Sequence, residues 1–149
     1  IVDGRIVNAV VDPNANIVAT KVQTVKAVPV LENEGGVAIA APGTSYAEAG
    51  ALARCRGKID FSLLKVSSAR VVVSGIGNEA GAGKGIEIYN VTDTASICAV
   101  TWDGNTQQDA LAGSWTAFTP TAEKVLSVRA KGSSGTENIT LHSVTLQVK

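Results

Sequence analysis

The chain has little of what most active sites are made from. Among its 149 residues there are one histidine, His142, and two cysteines, Cys55 and Cys98. A zinc site takes about four thiolate, imidazole or carboxylate ligands, and no Cys-x-x-Cys spacing is present. A metal site built within one chain is therefore not expected. His142 stands alone in a strand-like stretch, so no Ser, Cys or Asp nucleophile has a base to activate it. No catalytic residue is assigned, and no enzyme is expected.

Charge of one sign is also missing. Thirteen Lys and Arg balance thirteen Asp and Glu, for a net charge of zero. Nucleic-acid binding relies on clustered positive charge, and none is visible. Apolar runs are too short to span a bilayer. The stretch from Ile1 to Val11 is interrupted by Asp3 and Arg5, so neither a signal sequence nor an anchor is expected there. The first residue is not Met, which implies a removed leader or a start inside a longer chain. Charged residues are only 17% and aromatics 4% of the chain, against 45% hydrophobic residues. That is ample material for one core, with a surface rich in Thr, Ser, Asn, Gly and Ala.

What the chain does have is alternation. Lys58-Ile59-Asp60-Phe61-Ser62-Leu63, Gly85-Ile86-Glu87-Ile88-Tyr89 and Ser143-Val144-Thr145-Leu146-Gln147-Val148 all alternate polar and apolar residues. A period of two sends one set of side chains into a core and the other outward. Strands are expected near 58–66, 69–76, 85–92, 96–102, 114–119, 123–131 and 136–148. Turn chemistry separates them, and Asp103-Gly104-Asn105 is read as a hairpin turn. Lys26 to Leu31 reads as a further strand, confined to an edge by Pro29. These features predict an all-β fold: an antiparallel, jelly-roll-like β-sandwich over 51–149, with an extended arm and edge strands over 1–50. Residues 15–25 fit either a short helix or part of the arm.

The last strand changes phase. Ile139 and Leu141 are odd, whereas Val144, Leu146 and Val148 are even. A bulge near His142-Ser143 is needed to keep both sets on one face.

Several motifs carry little. Gly75-Ile76-Gly77-Asn78-Glu79-Ala80 resembles a dinucleotide fingerprint but no helix follows it, and Gly81-Ala82-Gly83-Lys84-Gly85 lacks the hydroxyl that a phosphate loop needs. No cofactor is expected. Asn78, Glu79 and Lys84 instead sit in an inter-strand loop suited to contacting a neighbour or a ligand. Asp93, Asp103, Asn105, Asp109 and Glu137 lack the dense spacing of a calcium loop. Asn90-Val91-Thr92 and Asn138-Ile139-Thr140 are glycosylation sequons. Cys55 and Cys98 either form one disulfide in an oxidising compartment or remain separate buried thiols. Trp102 and Trp115, with Tyr46 and Tyr89, raise sugar stacking; core pegs or interface anchors are the favoured reading for the tryptophans.

The segment from Ile6 to Val22, with Ile6-Val7-Asn8-Ala9 followed by Asn14-Ala15-Asn16-Ile17-Val18-Ala19-Thr20-Lys21-Val22, resembles a recurring N-terminal pattern of phage fibre and head-surface proteins. The tail from Leu126 onward is similar to the closing hairpin of such domains. The resemblance implies a non-enzymatic virion surface protein, a capsid decoration or fibre, with own copies as partners in a homotrimer alongside a major capsid or tail protein. Apart from the resemblance, Ile6, Val10, Ile17, Val18 and Val22 are apolar in a short, broken segment, and so are expected to be covered by another chain. The alternatives are a secreted carbohydrate-binding module that takes a host-surface glycan or another sugar, and an extracellular filament subunit that uses donor-strand exchange.

Overall fold

In a computed structural model of the chain, residues 25–149 are described. The assembly residues Ile6, Val10, Ile17, Val18 and Val22, and the helix-or-arm segment as far as 24, lie outside the described residues. Nine strands follow: β1 (Lys26–Ala40), β2 (Arg56–Asp60), β3 (Ser68–Gly77), β4 (Lys84–Asn90), β5 (Ala95–Trp102), β6 (Gln108–Ala112), β7 (Thr116–Ala117), β8 (Glu123–Lys131) and β9 (Asn138–Val148). They make a jelly-roll-like β-sandwich of two antiparallel sheets. Sheet I runs β1-β9-β3-β6, with β7 on the end of β3; sheet II runs β2-β8-β4-β5.

Alternation builds the core. Ala69, Val71 and Val73 of β3 and Ile139, Leu141, Val144 and Leu146 of β9 point inward from sheet I, all with no exposure. Ile86 and Ile88 of β4 and Val128 of β8 face them from sheet II, also with none. Each Val, Leu or Ile among them contributes about 1.5–3 kcal/mol relative to its exposed state. Phe61 meets Phe118 edge-on, ring centres 5.4 Å apart. A one-turn 3-10 segment, Gly50–Arg54, inserts Leu52 into the same core.

The phase change in β9 is resolved as expected. Ser143 pairs with Ser74 while Leu141 pairs with Gly75, so His142 is the extra residue towards β3. Towards β1, Glu32 pairs with Ser143 and Val37 with Leu141, so there the longer insertion is on β1, with residues 33–36 opposite His142. On β1, Gly36 has φ of 76°, and a Cβ there would stand 2.5 Å from Thr140 Cγ2 and 3.1 Å from His142 Cε1. A side chain at this position would be both strained and blocked. β1 is an edge strand with β9 as its neighbour, and it tolerates Pro29 for that reason.

Three expectations need correction. The Asp103-Gly104-Asn105 turn does not close a hairpin: β5 lies in sheet II, whereas β6 pairs with β3 in sheet I. The turn is a crossover between sheets. The strand expected at 114–119 shrinks to Thr116–Ala117, and the polar segment Gln108–Ala112 forms β6 instead. β2 stops at Asp60, where the Asp60 carboxylate accepts the Ser62 N–H at 2.8 Å and turns the chain.

Candidate binding face on sheet II

The outward positions of sheet II form a patch of aromatic and charged side chains. On β4, Gly85, Glu87 and Tyr89 alternate with the buried Ile86 and Ile88. On β8 their partners are Lys131, Arg129 and Ser127, in that order. On β5 the partners are Thr101, Ala99 and Ser96. The segment before the 3-10 turn extends this face. Ala47 pairs with Ala130 through hydrogen bonds of 3.0 and 2.9 Å. This bridge brings Tyr46 to Lys131, whose ammonium lies 5.0 Å from the ring centre. Glu48 accepts Arg56 Nε and Nη2 at 3.1 and 2.8 Å.

Glu87 is the centre of the patch. It faces outward, yet only 7% of it is exposed. Its carboxylate lies 3.9 Å from Arg129 Nη1, and the Arg129 guanidinium carbon sits 3.2 Å from the centre of the Tyr89 ring. Burial first, and then the Glu87 charge, raise the Tyr46 hydroxyl pKa above its ordinary value. The bond from Arg56 is the main cause that holds the Glu48 carboxyl below the usual carboxylate range. The two carboxylates of this face are thus each matched with an arginine. Together the side chains offer ring surface, fixed guanidinium donors and carboxylate acceptors on a flat support, a combination that suits a polyhydroxylated ligand.

Of the aromatics that raised sugar stacking, Tyr46 and Tyr89 lie on this face. The other residues singled out from sequence lie elsewhere. Trp102 is a core residue, 6% exposed, whose indole N–H has no hydrogen-bond partner. Trp115 lies in the β6–β7 connection, half-buried beside sheet I, with the Arg70 guanidinium 4.7 Å and the Lys149 ammonium 4.4 Å from its ring centre. Asn78 accepts the Asn138 N–H at 2.8 Å and Glu79 accepts the Thr136 hydroxyl at 3.0 Å, so both tie the β3–β4 connection to the segment that leads into β9. Cys55 and Cys98 are not bridged: both are free thiols. In the first sequon the Asn90 side chain is buried, donating to Asp93 Oδ2 and accepting the Asp93 N–H. Among the described residues, no group of three or more His, Cys, Asp or Glu is placed to hold a metal ion.

A concavity of about 290 Å³ lies at the end of the sandwich where β4 stops, lined by Asn90, Asp93, Ser96, Phe118, Pro120 and Lys124 among others. Its polar groups are bonded to one another: Lys124 Nζ donates to Asp93 Oδ1 at 2.9 Å.

Glu87 and Tyr89 were legible as outward positions from the Ile86–Ile88 alternation. Arg129 joins them only through pairing of β4 with β8, and Tyr46 only through the Ala47 bridge.

No family model and no curated protein matches this chain. Among solved structures it is similar to a carbohydrate-binding module, CBM36, in complex with calcium and xylotriose, at 13% identity and a TM-score of 0.40, covering 73% of this chain and 97% of that one. It is similar to the xylan-binding module CBM15 at 16% identity and a TM-score of 0.45, covering 84% and 96%. It is also similar to the VP2 subviral particle of infectious bursal disease virus at 12% identity and a TM-score of 0.31, covering 84% and 32%. At such identities and scores the likeness bears on nothing beyond the all-β architecture, which the structure itself displays.

Proposed function

We propose that this protein is a non-catalytic β-sandwich module that binds a glycan on the outer face of sheet II, in an extracellular setting. The observation that carries this reading is Glu87: an outward carboxylate only 7% exposed, paired with Arg129 beside the Tyr89 ring. A charged group that only held the sandwich together would not need to be sunk among aromatic side chains on an outer face, where desolvation works against it. A sugar uses such a site well, because its hydroxyls pair with carboxylate and guanidinium while its C–H face rests on a ring.

The test is a glycan array and affinity electrophoresis on the full chain. Binding by the wild type, weakened at least about tenfold in Tyr89→Ala and Glu87→Gln and unchanged in Trp115→Ala, supports the face. Loss of a single interfacial aromatic or buried charged contact commonly costs about 1–3 kcal/mol, which corresponds to that change. A wild type that binds no glycan sinks the proposal.

The assembly reading rests on Ile6, Val10, Ile17, Val18 and Val22, outside the described residues. Sedimentation of the full chain and of a chain without residues 1–24 addresses it directly. A trimer that dissociates on truncation, together with a silent array, would restore the virion reading in place of the one proposed here.

A further inference from the structure

At the end of the sandwich opposite the 290 Å³ concavity, three inter-sheet connections meet around one lysine. Lys84 begins β4, and its side chain has no solvent exposure. Its ammonium donates to the Gly81 carbonyl at 2.5 Å and to the Gly104 carbonyl at 2.7 Å, and it stands 3.4 Å from Glu137 Oε1. Glu137 has no exposure either. Its other oxygen accepts the Ser133 N–H at 2.5 Å and the Ser133 hydroxyl at 2.7 Å. Oε1, facing the ammonium, has no hydrogen-bond partner of its own. The three oxygens come from the β3–β4, β5–β6 and β8–β9 connections, so the positive charge is what these segments share.

The surroundings are shaped for this arrangement. A Cβ at Gly77 would stand 2.3 Å from Glu137 Oε1 and 2.5 Å from Lys84 Cε. A Cβ at Gly81 would stand 2.4 Å from Ser133 Oγ. Asp103 adds a further tie, accepting the Gly83 N–H at 2.8 Å, and the Gly104 N–H donates to the Gly81 carbonyl at 3.2 Å. Two carbonyls aimed at one point, with a carboxylate opposite, repel one another unless a cation lies between them.

We propose that the oxygens of Gly81, Gly104 and Glu137 form a cation-binding cage, and that Lys84 is its built-in cation. The tethered ammonium replaces a free ion, so the loop end of the sandwich keeps its shape without one. Cutting the tether converts the cage into a binding site for a small exogenous cation: a primary alkylammonium, or a metal ion that prefers oxygen ligands. The cage lies apart from the outer face of sheet II, and its occupancy is read by stability alone.

The experiment is thermal unfolding of the full chain, wild type and Lys84→Ala, in EDTA, calcium chloride, n-propylammonium chloride or 1-propanol. The wild-type midpoint should be the same in EDTA and in calcium. Lys84→Ala should melt about 10 °C lower, as expected for one buried partner left without its counter-charge. At least half of that loss should return with propylammonium or calcium, and not with propanol, which fills the same space without charge. If Lys84→Ala does not fold alone, refolding yield with and without propylammonium gives the same readout. The proposal is overturned if no cation restores the variant, if propanol restores it as well as propylammonium, or if EDTA lowers the wild-type midpoint.

Discussion

The Tyr46 hydroxyl lies directly over Gly85: a Cβ at residue 85 would stand 2.7 Å from Tyr46 Oη, 2.7 Å from the Val100 carbonyl oxygen and 2.9 Å from Thr101 Cγ2. The missing side chain on β4 is thus the seat of the tyrosine that the segment before the 3-10 turn brings across sheet II. Without that gap the ring could not settle beside Glu87 and Lys131.

Gly85→Ala therefore tests whether the seat matters. The added methyl meets backbone as well as the tyrosine, so relief requires movement of both. A destabilisation of about 1–3 kcal/mol is expected in urea unfolding, together with weaker glycan binding as Tyr46 is displaced. Unchanged stability and unchanged binding would show that the face does not depend on this packing.

The β9 bulge makes a prediction that separates a side chain from a backbone position. His142→Ala keeps the extra residue and should cost less than about 1 kcal/mol. Deleting residue 142 removes the bulge and turns either Ile139 and Leu141, or Val144, Leu146 and Val148, away from the core. The deletion should cost more than about 4 kcal/mol or prevent folding. Equal effects of the two changes, read by circular dichroism and denaturant unfolding, would contradict this account of the register.

The cysteines should differ in reactivity. Burial first, and then the Glu87 charge, push the Cys98 thiol up to about 12, and burial also raises Cys55. Alkylation of the native protein at mildly alkaline pH, followed by mass spectrometry, should label Cys55 slowly and Cys98 only after unfolding. A raised folded pKa means that the folded state holds a proton the unfolded chain gives up. This stabilisation is complete below the ordinary thiol value of 9.0 and is lost as the pH climbs towards 12. Cys98→Ala should flatten that alkaline loss, while rapid native labelling of both thiols would count against the buried placement of Cys98.

Glu137 is one of the groups that act on the acid side. Burial by itself would raise its pKa, but the Ser133 N–H and hydroxyl and the Lys84 charge outweigh burial and hold it below its ordinary 4.5. A depressed folded pKa gives stability that is present above 4.5 and lost as the pH falls through the folded value. Glu137→Gln should be less stable than wild type at neutral pH and should lose less on acidification. Parallel stability curves for the two proteins, followed by urea unfolding from neutral pH downward, would show that this carboxylate contributes nothing to acid sensitivity.

Much of the fold was legible from local pattern. Ile86 and Ile88 announce an inward face on β4, and the shift from Leu141 to Val144 announces the bulge. Pro29 announces an edge strand. Asp103-Gly104 misled, because turn residues report a local reversal and not the sheet to which the next strand belongs. Gln108–Ala112 was missed because its pairing with β3 includes an irregular position: Ala110 has φ of 55°, and its N–H goes to the Ser74 hydroxyl at 3.0 Å. The tryptophans drew attention as large aromatics, yet Trp102 points inward from β5 while the smaller Tyr46 and Tyr89 lie on the outer face.

The sequence alone determined that this chain is built of strands, which residues of β4 and β9 face inward, and where β9 must carry an extra residue. These follow from the two-residue period of extended backbone, a property of neighbours along the chain. Only the tertiary structure decided that Glu87 lies against Arg129 and that Lys84 meets Glu137. Many strand orders satisfy the same alternation, and the choice among them is made by long-range pairing and by how well the two sheets close over one core.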